Sequence, residues 1–193
     1  ETDLLSTYFP QSNFLMAYPI AQRSEIINAL KLIENKVDLI IWPETSISSY
    51  HLPSNHYYMQ WIQEKLQDSQ LIFGIPYYSG EKSERNYYNS AVLIQADSIR
   101  SIYHKLQLVP GPEYIPLYDY LPLLQKLNLG QSNLTRGTDF TIMDVNDVKC
   151  AVMICFESTF RALSRKFVYN GAEVLIYLVN DGWYENPPEP QQH

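Results

Sequence analysis

The sequence predicts an α/β layered fold built around a mixed sheet. Compact apolar runs of strand length, such as Val37 to Trp42 and Leu71 to Ile75, alternate with stretches of helical periodicity. Two hairpins interrupt that alternation, which argues against a purely parallel sheet. The 193 residues are 46% hydrophobic and 18% charged, an ordinary globular balance with enough chain for one sizeable core.

Leu4-Leu5-Ser6-Thr7-Tyr8 reads as a short strand ended by Pro10. Ile26, Ile27, Leu30, Ile33 and Val37 fall at helical spacing, which makes 20–36 a helix. Residues 37–42 are a buried strand stopped by Pro43, 57–67 a second helix, and 71–75 another buried strand. Two further strands, 87–94 and 99–105, are joined at Ala96-Asp97-Ser98. Between 107 and 133, Pro110, Pro112, Pro116 and Pro122 mark a loop with one short helix near 121–127. Residues 140–145 and 149–156 flank Asn146-Asp147 as a hairpin. Residues 158–170 form a helix closed by Gly171, and 174–179 form the last buried strand.

The net charge is −7 and the pI about 5.0, with no basic run, so no nucleic-acid partner is expected. The 16 Tyr offer broad apolar area with a polar tip, suited to a greasy ligand or an interface. No run of 18 or more apolar residues provides a membrane span, and no basic-then-apolar leader opens the chain. The abrupt start and the tail Asn186-Pro187-Pro188-Glu189-Pro190 read as cuts from something longer. Cys150 and Cys155, five apart on one strand, point to opposite faces and are not expected to form a disulfide. His51, His56 and His104 show no ligand spacing; neither metal nor organic cofactor is expected.

Three polar groups close buried strands: Glu44 after Trp42-Pro43, Lys105 after Tyr103-His104, and Cys155 after Met153-Ile154. Strand ends are where α/β sites gather. Singly, each has a plainer reading: packed filler for the cysteine, a turn residue or cap for the glutamate, a surface charge for the lysine. Cys150 is read as core. Together they form a chemical set in which Cys155 attacks as nucleophile, Glu44 moves the protons, and Lys105 lowers the thiol pKa and holds an oxyanion. Glu113 and Glu157 are further acidic candidates, and on an extended chain Glu157 would share the face of Cys155. Asn180-Asp181-Gly182-Trp183-Tyr184 follows the last strand as a polar, aromatic loop.

In order and local context these residues resemble the nitrilase superfamily of carbon–nitrogen hydrolases. Trp42-Pro43-Glu44-Thr45 is similar to its general-base motif, and Tyr88-Asn89-Ser90-Ala91 to the strand before the lysine. Tyr103-His104-Lys105-Leu106-Gln107-Leu108-Val109-Pro110, with Glu113-Tyr114-Ile115-Pro116, resembles the lysine motif and its second glutamate. Ile154-Cys155-Phe156-Glu157-Ser158 resembles the nucleophile motif. Asn180 to Tyr184 is similar to the signature of the bacterial apolipoprotein N-acyltransferase branch. Two departures stand out: Gly111-Pro112 replaces a usual Phe-Gly, and Phe156 stands where a Tyr is common.

The resemblance implies a four-layer αββα sandwich over residues 1–193, incomplete at its C-terminus and flanked elsewhere by membrane helices. It implies Glu44, Lys105 and Cys155 as catalytic residues, with Glu113, Phe156, Glu157, Asn180 and Trp183 supporting or binding substrate. The implied partners are a phospholipid acyl donor and a diacylglyceryl-modified lipoprotein N-terminus. The implied place is the periplasmic side of a bacterial inner membrane. Two rivals keep the same residues: a soluble amidase-type hydrolase that uses water, and a homologue that only binds. Apolar residues beside the site, such as Ile115, Leu117, Tyr118, Leu121, Leu123 and Leu124, would favour the acyltransferase.

Overall fold

The computed structural model describes residues 38–46, 68–81, 84–96, 98–116 and 133–180, together with Ile62 and Leu66. The expected strand at 4–8, the helix at 20–36, most of the helix at 57–67, the short helix near 121–127 and Trp183 lie outside the described residues.

Strands β1 (Leu39–Ile41), β2 (Gln70–Ser79), β3 (Asn86–Gln95) and β4 (Ser98–His104) form one sheet in that order. Strands β5 (Ile142–Val145), β6 (Val148–Ile154) and β7 (Val174–Leu178) form a second. β1 runs parallel to β2, whereas β2, β3 and β4 are antiparallel. β5 is antiparallel and β7 parallel to β6. Both sheets are mixed, as the interrupted alternation predicts. β2 is longer than its apolar core, because Tyr77 and Tyr78 extend the pairing against Tyr88 and Tyr87; aromatic cross-strand pairs stabilise such extensions.

Period-two alternation sends each strand of the first sheet in two directions. Leu71, Phe73, Ile75, Val92 and Ile94 pack with Ile40 and Trp42 against Ile62 and Leu66, which are helical and one turn apart. Ile72, Ala91, Leu93 and Tyr103 face the other way and pack with Val152 and Ile154 of the second sheet. Helix α1 (Arg161–Tyr169) covers that sheet's outer side, where Ser164 Oγ meets Met153 Sδ at 3.6 Å and Tyr177 Oη at 3.3 Å. The layers run helix, sheet, sheet, helix. Burying one such apolar side chain stabilises by about 1.5–3 kcal/mol, so the layer between the sheets, not the turns, holds them together.

The turns follow local chemistry. Asn146 and Asp147 both adopt positive φ (50° and 68°), the requirement of the tight hairpin turn between β5 and β6. Gly171 (φ +98°) ends α1, and the Ala172 N–H reaches back to the Phe167 carbonyl at 3.0 Å. The helix expected from 158 is divided. A 3-10 turn spans Cys155–Thr159, Phe160 breaks it at φ −95° and ψ 86°, and α-helix begins at Arg161.

Candidate active site

Glu44 sits in a loop pressed onto β2. The Gly74 N–H donates to the Pro43 carbonyl at 3.2 Å, and Ser46 Oγ donates to the Gly74 carbonyl at 3.2 Å. A Cβ at Gly74 would lie 2.6 Å from the Glu44 Cα, so glycine is what lets the loop approach. Thr45 takes φ 53°, a conformation costly for a β-branched residue, in the turn just after Glu44. From the end of β7, Asn180 Nδ2 donates to the Glu44 carbonyl at 3.3 Å.

Lys105 follows β4 and is 1% exposed. Its N–H donates to the Asn89 carbonyl at 2.9 Å, and its carbonyl accepts the Gly137 N–H at 2.9 Å. Gly137 has no room for a side chain, since a Cβ there would meet the His104 carbonyl oxygen. Behind this point Ser90 Oγ meets His104 Nδ1 at 2.7 Å, and the imidazole stacks on Tyr88 at 4.1 Å. Burial holds the His104 pKa down.

The polar centre lies where these elements meet. Lys105 Nζ donates to Glu113 Oε1 at 2.9 Å and stands 3.8 Å from Glu44 Oε1. Asn89 Nδ2 donates to both carboxylates, at 2.7 Å to Glu44 Oε1 and 2.9 Å to Glu113 Oε1. Glu113 Oε2 accepts the Val109 N–H at 2.7 Å, and the Glu113 N–H returns to the Val109 carbonyl at 3.1 Å. Gly111 makes that tight loop at φ +93°, so the Gly111-Pro112 departure still delivers Glu113 to the lysine.

Cys155 enters from the second sheet. It is the first residue after β6 and takes φ 48°, a strained angle for a non-glycine residue. It lies close enough to Glu44 and Lys105 for their charges to act on the thiol. Burial raises the Glu44 pKa against the pull of Lys105 and Asn89. Burial presses Lys105 down, but Glu44 and Glu113 outweigh it and leave the ammonium firmly protonated. Burial, then the Glu44 charge, push Cys155 up to about 12 despite Lys105 and the Phe156 N–H. The resting sulfur is therefore a thiol, and its proton must leave as it attacks.

Glu157 does not share the face of Cys155, because the 3-10 turn replaces extended chain there. It is fully buried. Its Oε1 accepts Tyr103 Oη–H at 2.7 Å, the Leu106 N–H at 2.7 Å and the Gln107 N–H at 3.0 Å. Its Oε2 accepts the Ile154 N–H at 2.8 Å. Burial raises its pKa while these bonds lower it; all four partners are donors, so the pocket fits a carboxylate. Glu157 ties the lysine segment to the nucleophile turn. Phe156 packs edge-on against Phe160 at 5.0 Å. Among the described residues, no group of three or more His, Cys, Asp or Glu is arranged to hold a metal ion.

Asn89, Gly74 and Gly137 are the contributors that a reading of strand ends misses. Asn89 carried a signal, since asparagine is depleted from strand interiors and this one precedes a fully buried run.

The fold and the polar centre are compatible with the carbon–nitrogen hydrolase family. The model of that family matches residues 19–193, and the chain belongs to it. Solved structures agree on the fold. A carbon–nitrogen hydrolase from Helicobacter pylori has a TM-score of 0.59 at 19% identity, covering 90% of this chain and 59% of that one. A branch 10 nitrilase-superfamily member from Saccharomyces cerevisiae has a TM-score of 0.55 at 17% identity, covering 82% and 59%.

Among curated proteins, the chain is similar to apolipoprotein N-acyltransferases. That of Chlorobaculum tepidum is 32% identical over 183 residues, 82% of this chain and 34% of the relative. Apolipoprotein N-acyltransferase 2 of Treponema denticola is 32% identical over 176 residues, 82% of this chain and 32% of the relative. The chain thus spans about a third of the length of the curated relatives it matches.

Proposed function

We propose that the chain carries the acyl-transfer site of an apolipoprotein N-acyltransferase. The proposed reaction moves a fatty-acyl group from a phospholipid to the N-terminal amine of a diacylglyceryl-modified lipoprotein. The observation that supports it is the meeting of Glu44, Lys105 and Cys155 in a chain whose curated relatives bear that name. In this reading the domain works at the periplasmic face of a bacterial inner membrane. Ile115 is the one residue of the expected apolar flank that falls within the described residues, and it is half-buried.

Cys155 sulfur attacks the ester carbonyl as its proton passes to Glu44. The oxyanion forms within reach of the Lys105 ammonium, whose charge Glu113 already fixes in place. Collapse expels the lysophospholipid alkoxide, which takes the proton from Glu44, and leaves a Cys155 thioester. The lipoprotein amine then attacks the thioester while Glu44 accepts an amine proton. Collapse forms the amide, and the leaving sulfur regains the proton from Glu44.

The test uses the full-length protein with phospholipid alone. Cys155 is expected to gain a fatty-acyl mass that neutral hydroxylamine removes, and a diacylglyceryl-cysteinyl peptide is expected to discharge it as an amide. Cys155→Ala is expected to give no adduct. Hydrolysis of small amides with no acyl adduct would replace this reading with the amidase.

A further inference from the structure

Two carboxylates and one ammonium share the centre, yet the lysine does not stand midway between them. Lys105 Nζ is 2.9 Å from Glu113 Oε1 and 3.8 Å from Glu44 Oε1. Like charges this close normally trap a proton on one partner. The group that touches both glutamates besides the lysine is Asn89, whose single Nδ2 directs one hydrogen to each. Both neighbours are acceptors, so the orientation of the amide follows from the chemistry. Asn89 is 8% exposed and lies on the inner face of β3 with Ala91 and Leu93. Its carbonyl also receives the Lys105 N–H.

We propose that Asn89 is a positioning residue that pairs Glu44 with Glu113, leaving Lys105 to be neutralised by Glu113 and Glu44 ionised and turned to Cys155. A neutral amide suits this task. It favours the charged carboxylate by hydrogen bonding, yet adds no positive charge that would blunt the basicity of Glu44. It does not titrate, so it holds the pair at every working pH. The titratable groups acting on Glu44 among the described residues are Lys105, Glu113 and Cys155. The Asn89 hydrogen bond lowers the Glu44 pKa in opposition to burial. The inference rests on Cys155 as nucleophile and Glu44 as its base.

The test is the pH dependence of iodoacetamide labelling at Cys155, read by peptide mass in the full-length protein, beside the pH profile of acyl transfer. Removing Asn89 leaves Glu44 with a higher pKa, so the acidic limb is expected to move up by about one pH unit in Asn89→Ala. Asn89→Asp keeps the side-chain shape, removes the donors and adds a charge, so its limb is expected to move further. This isosteric variant decides the matter if the alanine variant does not fold. A limb at the wild-type pH in a folded variant, with only the amplitude reduced, would overturn the proposal. A shifted limb in a protein that never transfers an acyl group would sink the acyltransferase reading and leave this one standing.

Discussion

In the proposed reaction Glu44 is the base, and the burial that raises its pKa sets opposite pH trends for activity and stability. Its pKa lies above the ordinary 4.5. Labelling and turnover are therefore expected to fall as pH drops through that raised value, where the base protonates. Stability runs the other way. A carboxyl raised in the folded state contributes stability fully below its unfolded pKa and loses it as pH rises through the folded one. Compared with Glu44→Gln, the wild-type Tm is thus expected to lose ground as pH rises from about 4 towards neutral. Calorimetry of both proteins across that range checks the sign. Glu157 makes a different prediction. Its four donors leave no place for an amide N–H, so Glu157→Gln is expected to cost about 1–3 kcal/mol, seen as a lower Tm.

At the scale of elements, the positions of Glu44, Lys105 and Cys155 were legible because each follows a buried strand, and strand ends are marked by where apolar runs stop. What backs them was not. Gly74 sits inside an apolar run, where nothing in the sequence shows that the Glu44 loop lies across it. Gly137 lies in a segment without regular structure, far along the chain from the lysine it supports. Glu157 lies off the face of Cys155 because period-two alternation ends with the last strand residue, where a turn of different period begins. Gly74→Ala forces a Cβ against backbone that cannot rotate away. Overpacking of this kind costs about 1–3 kcal/mol. Displacing a catalytic group by about 1 Å can cost about 10²-fold. The acyl-transfer rate is therefore expected to fall by more than the loss of Tm accounts for, while Tyr87→Ala at the half-exposed hairpin end leaves it near wild type.

Over the whole molecule, the polar centre spans two sheets that pack against each other through a shared layer of side chains. Asn89 lies in the first sheet, Glu44 and Lys105 just beyond its strands, and Cys155 just beyond β6 of the second, so their separation depends on the thickness of the layer between. Ala91 is fully buried in that layer. Ala91→Leu is expected to slow Cys155 labelling at neutral pH although it touches no polar group of the site; an unchanged rate in the folded variant would show that the sheets repack freely. The two-sheet division also has a consequence in time. The antiparallel neighbours β2–β3–β4 and β5–β6 are close in sequence and can pair early, whereas the association of the two sheets is long-range and slow. A half-folded chain holds Cys155 remote from Glu44 and Lys105. Acyl-transfer competence, as distinct from bare thiol reactivity, is then a late product of assembly, and samples taken during refolding are expected to gain it with the final phase.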